Sequence, residues 1–262
     1  MKNNNKKIII FLVLSLIFSL VLSGCANEKD KIDQNEKPTK NEGTNQGDRS
    51  AGKYSAQGKI VKIDENGIHV QIGDRVQRYN VDKEAANKHY IGEYVGINEL
   101  DNDKYDILPD ETYDYKNRFT STGEKIKRVT GTVGEVKDDI VTAVTEMGDI
   151  KLTNPGNFSL KSGDQFMFDY VEMGGGNQML SYYEESSKIN VKVKEISREA
   201  SGAMKITANS NDNKEYNIMV NENTITNFAH SALKKDDSIT VYPDNITGNT
   251  PAEVKAKLII KN

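Results

Sequence analysis

The chain repeats one short pattern three times: an apolar residue, a turn that ends in an acidic residue, and then alternating apolar residues. The three copies are residues 91–97, 160–168 and 233–241. Aligned on the acidic residue, two apolar positions coincide in all copies: Val95, Phe166 and Ile239, then Ile97, Phe168 and Val241. A turn followed by apolar residues of period two is typical of a strand with one buried face. The repeat therefore predicts three small β units of the same kind.

Three strand-like runs precede each copy of the repeat. They are Gly58–Ile63, Ile68–Ile72 and Val76–Val81, then Val129–Val136, Ile140–Thr145 and Asp149–Leu152, then Ile189–Ile196, Ala203–Ala208 and Glu215–Val220. The connector Asn223–Lys234 carries its apolar residues at helical spacing, so a short helix is expected there. Val254–Ile260 supplies a fifth strand to the last unit. Units of this size are marginally stable alone, so we expect them to pack together.

Three strands, a short connector and a turn into a fourth strand resemble the OB-fold family of small barrels. We place the modules at 54–128, 129–187 and 188–262, called the first, second and third module below. An SH3-like barrel or a plain five-stranded meander would give a similar pattern. The predicted fold class is thus all-β with short connector helices: three small OB-like or SH3-like five-stranded modules.

The N-terminus has the pattern of an export signal. Lys2, Lys6 and Lys7 precede an apolar run from Ile8 to Leu22, which is short for a bilayer span. The run ends in Leu22-Ser23-Gly24-Cys25, which resembles the lipobox of bacterial lipoproteins. That resemblance implies cleavage of residues 1–24 and a lipid on Cys25. An ordinary signal peptide with a chance cysteine, or an uncleaved anchor, is the alternative.

Residues 25–53 are polar and rich in charge, with Ile32 as the only large apolar residue. Such a segment cannot bury enough surface to offset its ordering entropy, so we expect a disordered tether. The predicted location is the cell membrane, lipid-anchored and facing the extracellular side. The abundance of Lys, Asn and Ile hints at a Gram-positive source.

Charge is distributed unevenly among the modules. Residues 129–187 hold 3 bases and 10 acids, whereas residues 188–262 hold 11 bases and 9 acids. In the third module the bases alternate with apolar residues on the first and last strands, so they share one face. If those two strands pair, the bases form one stripe, called the predicted stripe below: Lys188, Lys192, Lys194, Arg198, Lys255 and Lys257.

The predicted stripe suits an anionic polymer such as DNA of a biofilm matrix or envelope polysaccharide. A solvated outer face, whose lysines protect strand edges from aggregation, is the alternative. A second surface is the OB-type ligand face of the first module, with His69, Gln71, Arg75 and Arg78. His89 and His230 lie in connectors without evident partners.

Aromatic residues crowd the join between the first and second modules: Tyr105, Tyr113, Tyr115 and Phe119. They could stack bases or sugars, or form the core between modules. The chain carries no nucleophile elbow, zinc-protease motif or Walker loop. One Cys and three His argue against a closed zinc site.

We therefore expect no catalytic residues, no metal and no cofactor. The favoured hypothesis is a non-enzymatic surface lipoprotein that binds an extracellular polymer. The alternative hypothesis is an envelope lipoprotein that recruits or senses a protein partner. A homodimer through exposed sheet edges is compatible with either hypothesis.

Overall fold

The computed structural model describes residues 53–100, 103–154 and 158–262. The predicted signal peptide, the predicted lipidation site Cys25 and nearly all of the predicted tether lie outside the described residues. Within them, the fold is almost entirely β, and three small sheets follow one another along the chain. The predicted all-β class with OB-like modules is confirmed. No helix in the described part of the chain is long and apolar enough to cross a bilayer.

The first sheet has five strands and stays open. Its elements are β1 (Ala56–Asp64), β2 (Gly67–Ile72), β3 (Arg75–Asn80), the one-turn helix α1 (Lys83–Ala86), β4 (Tyr94–Glu99) and β5 (Tyr105–Pro109). The strand order is β3-β2-β1-β4-β5. Helix α1 begins where the Asp82 carboxylate accepts a hydrogen bond from the Ala85 amide, which is a normal N-cap.

The second sheet closes into a barrel. Its strands are β6 (Lys127–Lys137), β7 (Ile140–Thr145), β8 (Gly148–Thr153), β9 (Gln165–Met173) and β10 (Gly176–Glu184). The order is β10-β8-β7-β6-β9, and the third and fifth strands pair in parallel to close it. A single 3₁₀ turn at Glu185–Ser187 leads into the next module.

The third sheet repeats the strand order of the second sheet and adds one short strand. Its strands are β11 (Ile189–Arg198), β12 (Met204–Ser210), β13 (Glu215–Val220), β14 (Ile225–Thr226), β15 (Ser238–Ile246) and β16 (Ala252–Lys261). Parallel pairing of β13 with β16 closes the ring, as in the second module. The short β14 pairs with β16, so this module has six strands where five were expected.

The helix expected at Asn223–Lys234 is absent, and this prediction was wrong. The segment instead forms β14 and a 3₁₀ turn at His230–Ala232. Asn, Thr and β-branched residues dominate its first half, and they favour local hydrogen bonds over a helix. The Thr226 hydroxyl, for example, donates to the Phe228 carbonyl at 2.8 Å.

All three modules share one turn that clamps the fourth strand to the first. The residue before the acid of the repeat has positive φ in each copy: Gly92 at +89°, Gly163 at +92° and Asp236 at +74°. Its amide donates to the carbonyls of Ile60, Val133 and Val193 respectively, at 2.7–2.8 Å. The amides of those same first-strand residues donate in return to the backbone carbonyls of Glu93, Asp164 and Asp237, at 2.8–2.9 Å.

The apolar positions of the repeat face the cores of the three modules, as the period-two pattern predicts. Val95, Phe166 and Ile239 are all fully buried, and Ile97, Phe168 and Val241 are buried to within one per cent. The three modules build separate cores around them.

The third module contacts both of the others. Tyr183 of the second module packs with Tyr242 and Leu258 of the third in one buried cluster. Tyr90 of the first module packs against the core of the third, and the Ile91 amide donates to the Gly202 carbonyl at 3.0 Å. The modules therefore pack together, as their small size requires.

A buried carboxylate ties the linker between the first two modules to the second barrel. Asp169 is fully buried and accepts two hydrogen bonds from Arg128, at 2.7 and 2.9 Å, and one from Arg118 at 3.0 Å. The Tyr183 hydroxyl donates to it at 2.9 Å. Burial opposes ionisation, but the two guanidinium groups outweigh it and lower the pKa of Asp169.

The repeated turn generates a matched pair of substitutions. A methyl group added at Gly163 meets no atom within 4 Å, so Gly163→Ala should cost only the left-handed conformation, about 1–2 kcal/mol. A methyl group at Gly92 would lie 2.9 Å from the Asn221 carbonyl of the third module, so Gly92→Ala should cost about 1–3 kcal/mol more. Urea unfolding followed by circular dichroism measures both. Equal losses would contradict the close contact between the first and third modules.

Candidate functional site

The structure does not bring the predicted stripe together. Strand β15 lies between β11 and β16, so the first and last strands of the third module do not pair. On β15, Lys192 lies opposite Ser238 and Lys255 opposite Asn245. Those positions are about 23 Å apart along the strand at 3.3 Å per residue. The expectation of one continuous stripe was wrong, because the order of strands cannot be read from parity alone.

Four bases of the predicted stripe lie beside single carboxylates on the surface. The pairs are Lys188 with Glu185 at 2.6 Å, Lys192 with Asp236 at 3.4 Å, Lys194 with Glu215 at 2.7 Å and Lys255 with Asp244 at 3.2 Å. Such exposed pairs contribute little to stability, so a polyanion could replace the carboxylates. They do, however, cancel the local positive charge that would attract it.

The other two bases lie at module junctions. The Arg198 guanidinium donates to the His89 carbonyl at 2.9 Å and to the Asn87 side chain at 2.8 Å, both in the first module. Lys257 is half-buried, donates to the Tyr182 carbonyl at 2.7 Å and lies over the Tyr182 and Tyr183 rings. Burial lowers the pKa of Lys257. Both side chains therefore connect modules.

Lys255 and Lys257 form a matched pair that tests this division of roles. Lys257→Ala removes packing and a hydrogen bond at the second–third junction, so it should lower the free energy of unfolding by about 1–2 kcal/mol. Lys255→Ala removes only an exposed pair and should change it by at most about 0.5 kcal/mol. Equal effects in thermal unfolding of the two variants would argue against a junction role for Lys257.

A row of basic residues crosses the outer face of the first module. Strand register places Lys62 opposite His69 and His69 opposite Arg78, so the three side chains cross β1, β2 and β3 side by side. Gln71 lies further along β2 on the same face, opposite the exposed Val76. Arg75 lies opposite Ile72 at the hairpin end, so alternation places its side chain on the other face of the sheet from Arg78, and the expectation that it shares this face was wrong. We call Lys62, His69, Gln71 and Arg78 the first-module face.

Asp64 organises part of the first-module face. Its carboxylate contacts the His69 ring at 2.8 Å and the Arg78 guanidinium at 3.4 Å. Hydrogen bonds from His69, the Asn66 amide and Arg78 hold the pKa of Asp64 far below its usual range. Within the described ranges, Lys62 and Arg75 form no ion pair with any acid. Glu65 and Asp74 lie in the turns at opposite ends of the strands.

The aromatic cluster at the join is packed upon itself. The Tyr113 ring stacks on the Tyr94 ring with centroids 3.5 Å apart, and Tyr115 meets both rings edge-on. Burial raises the pKa of Tyr115. Tyr105 instead packs against Tyr79 inside the first module. Phe119 remains 40% exposed. Sequence reasoning missed Tyr94, whose place in the repeat gave no sign that its ring would anchor this cluster.

Comparisons with known proteins do not assign this chain to a family. No family model matches the chain, and no curated protein matches it. One similar solved structure is a multidomain protein with nucleic acid binding domains from Streptococcus pneumoniae TIGR4. It is 15% identical, covers 77% of this chain and 72% of its own, and has a TM-score of 0.21. Another is Drosophila Unr CSD456, 12% identical, covering 79% and 96%, with a TM-score of 0.20. Similarities this weak do not say what this chain binds.

Proposed function

We propose that this chain is a non-enzymatic lipoprotein that binds an extracellular anionic polymer at the cell surface. Cys25 carries the lipid, residues 25–53 act as a tether, and the OB-like modules present the binding surface. The polymer is DNA of the surrounding matrix or an acidic polysaccharide of the envelope. Contact is made through basic residues on the outer faces of the modules.

The first-module face is the observation that carries this proposal. Lys62 is exposed and without an acidic partner in the described residues, and the exposed Arg78 adds a guanidinium fork on the same face. Arginine forks match the geometry of phosphate and carboxylate oxygens. A flat row across three strands suits a long polymer better than a small molecule, which needs a concave pocket. The bases of the predicted stripe contribute less, because carboxylates offset four of them.

Salt-dependent binding to DNA tests the proposal. The full chain in detergent, titrated into a labelled mixed-sequence duplex, should lose about 12-fold in affinity between about 50 and about 200 mM salt if two phosphates are contacted. Lys62→Gln and Arg78→Gln together should remove most of that salt dependence. Absence of binding to both DNA and an acidic polysaccharide at low salt would overturn the proposed function.

Matched variants test whether the polymer contacts the first-module face or the predicted stripe. Lys192→Gln and Lys194→Gln together remove the same charge from the predicted stripe and should weaken binding less. A larger loss in that variant would move the contact surface to the third module. On cells, Cys25→Ser should release the protein, and the DNA it holds, into the medium. Retention of the protein on the cells would contradict the lipid anchor.

A second candidate function rests on the outer face of β7 in the second module. Ile140 and Val144 are 42% and 47% exposed on either side of Thr142. Acids in the flanking hairpins, Asp138, Asp139 and Glu146, form no ion pair within the described ranges. An aliphatic row bordered by free acids suits a protein segment that carries both aliphatic and basic residues. Partner recruitment is therefore the alternative function.

Photo-crosslinking in intact cells tests the second candidate. A crosslinker at Val144 should give one discrete adduct, and Ile140→Glu should abolish it because the aliphatic row is interrupted. The same crosslinker at Asp212, on an exposed hairpin of the third module, serves as control. Identical adducts from both positions, or none from Val144, would count against partner recruitment.

A further inference from the structure

The first and third modules meet through few direct contacts. Arg198 donates to the His89 carbonyl and the Asn87 side chain, and the Ile91 amide donates to the Gly202 carbonyl. Lys59 donates to the Glu222 carbonyl at 3.0 Å. The first three bonds join the segment before β4 to the β11–β12 hairpin, and the Lys59 bond joins β1 to the connector after β13. We call this contact the first–third junction.

One of two buried histidines here is fully satisfied. The His89 ring faces the Glu93 carboxylate at 3.0 Å through Nδ1 and the Ile107 carbonyl at 3.0 Å through Nε2. Both partners carry acceptor oxygens, so each ring nitrogen of His89 has a polar partner. The same Glu93 oxygen also accepts from the Tyr90 amide at 3.2 Å. The expectation that His89 lacks a partner was wrong.

The other histidine, His230, is buried and 3% exposed. Among the described residues, neither of its ring nitrogens has a hydrogen-bond partner. Its ring lies nearly parallel to the Tyr90 ring of the first module, with centroids 6.3 Å apart. Glu93 is the charged group whose field reaches it from the first module, and that carboxylate is already engaged by His89 and the Tyr90 amide.

This environment admits only a neutral His230. Burial lowers the pKa of His230 from 6.5 to about 4, and the Glu93 carboxylate offsets only part of that effect. A proton on the ring would place a cation in a desolvated site with no free acceptor. Moving Tyr90 away would open the site to water.

We propose that the first–third junction is an acid-sensitive latch, in which protonation of His230 releases the first module from the third. The closed state takes up its proton only near pH 4, whereas a solvated His230 has its ordinary pKa of 6.5. Since the open state binds the proton more tightly, closure is favoured at pH 7 and weakened as pH falls. By this linkage the closing equilibrium constant falls about 20-fold between pH 7 and pH 5, and about 120-fold between pH 7 and pH 4.

Hydrogen exchange of the full chain, followed by mass spectrometry, tests the latch. The Ile91 amide is the reporter, because its hydrogen bond to Gly202 crosses the junction. Its opening equilibrium, corrected for intrinsic exchange at each pH, should rise about 20-fold at pH 5, while amides in the cores of the three modules stay protected. Unchanged protection of Ile91 at pH 5 would overturn the proposal.

Three variants identify the sensor. His230→Phe keeps a flat ring beside Tyr90 but cannot be protonated, so Ile91 should stay protected at pH 5. His69→Phe removes the partly exposed histidine of the first-module face and should leave the pH response intact. Arg198→Ala should open the junction at pH 7 and mark the open state. If His230→Phe still opens at pH 5, the sensor is another group, such as the His89–Glu93 pair, and the proposal fails.

Discussion

Each module depends on one pair of backbone hydrogen bonds between the turn before its fourth strand and the middle of its first strand. The turn residue must have positive φ, so that its amide points back at the first-strand carbonyl while the next carbonyl accepts in return. The first strand bulges immediately after the clamped residue, at Ile60, Val133 and Val193. The bulge bends the strand, and a bent first strand can pair with the second strand along one part of its length and the fourth along another. All three modules share this geometry, and parallel pairing of the third strand with the last then closes the second and third sheets.

The acid that all three copies of the repeat share after the turn has a structural role, which explains why it recurs. Its carboxylate accepts a hydrogen bond from the amide three residues earlier, in Tyr90, Lys161 and Lys234 respectively. The acid therefore holds the turn that aims the clamp. In the first module the same acid, Glu93, also binds His89 beside the third module. In the first module, the acid that shapes the turn therefore also lies at the contact between modules.

Period-two patterning predicted the strands well, because each strand has one face in a core and alternation reports burial directly. It also predicted that the stripe lysines point out of the barrel. It could not predict what lies outside: Arg198 and Lys257 point outward and meet neighbouring modules, and Lys192 and Lys255 point outward from strands that β15 separates. The row of Lys62, His69 and Arg78 depends on a register shift at the β1 bulge. Sequence alternation does not contain that shift.

Net charge is a poor guide to what such a chain binds, because the charges act over roughly 8 Å at physiological ionic strength. The third module is net basic, yet four bases of the predicted stripe stand beside carboxylates within that distance. The first module is close to neutral, yet its strand register gathers Lys62, His69 and Arg78 into one row, and one carboxylate, Asp64, serves two of them. The field that an approaching polyanion meets is therefore set by strand register. An acidic protein can present a basic row wherever that register places its acids in the turns and its bases across the strands.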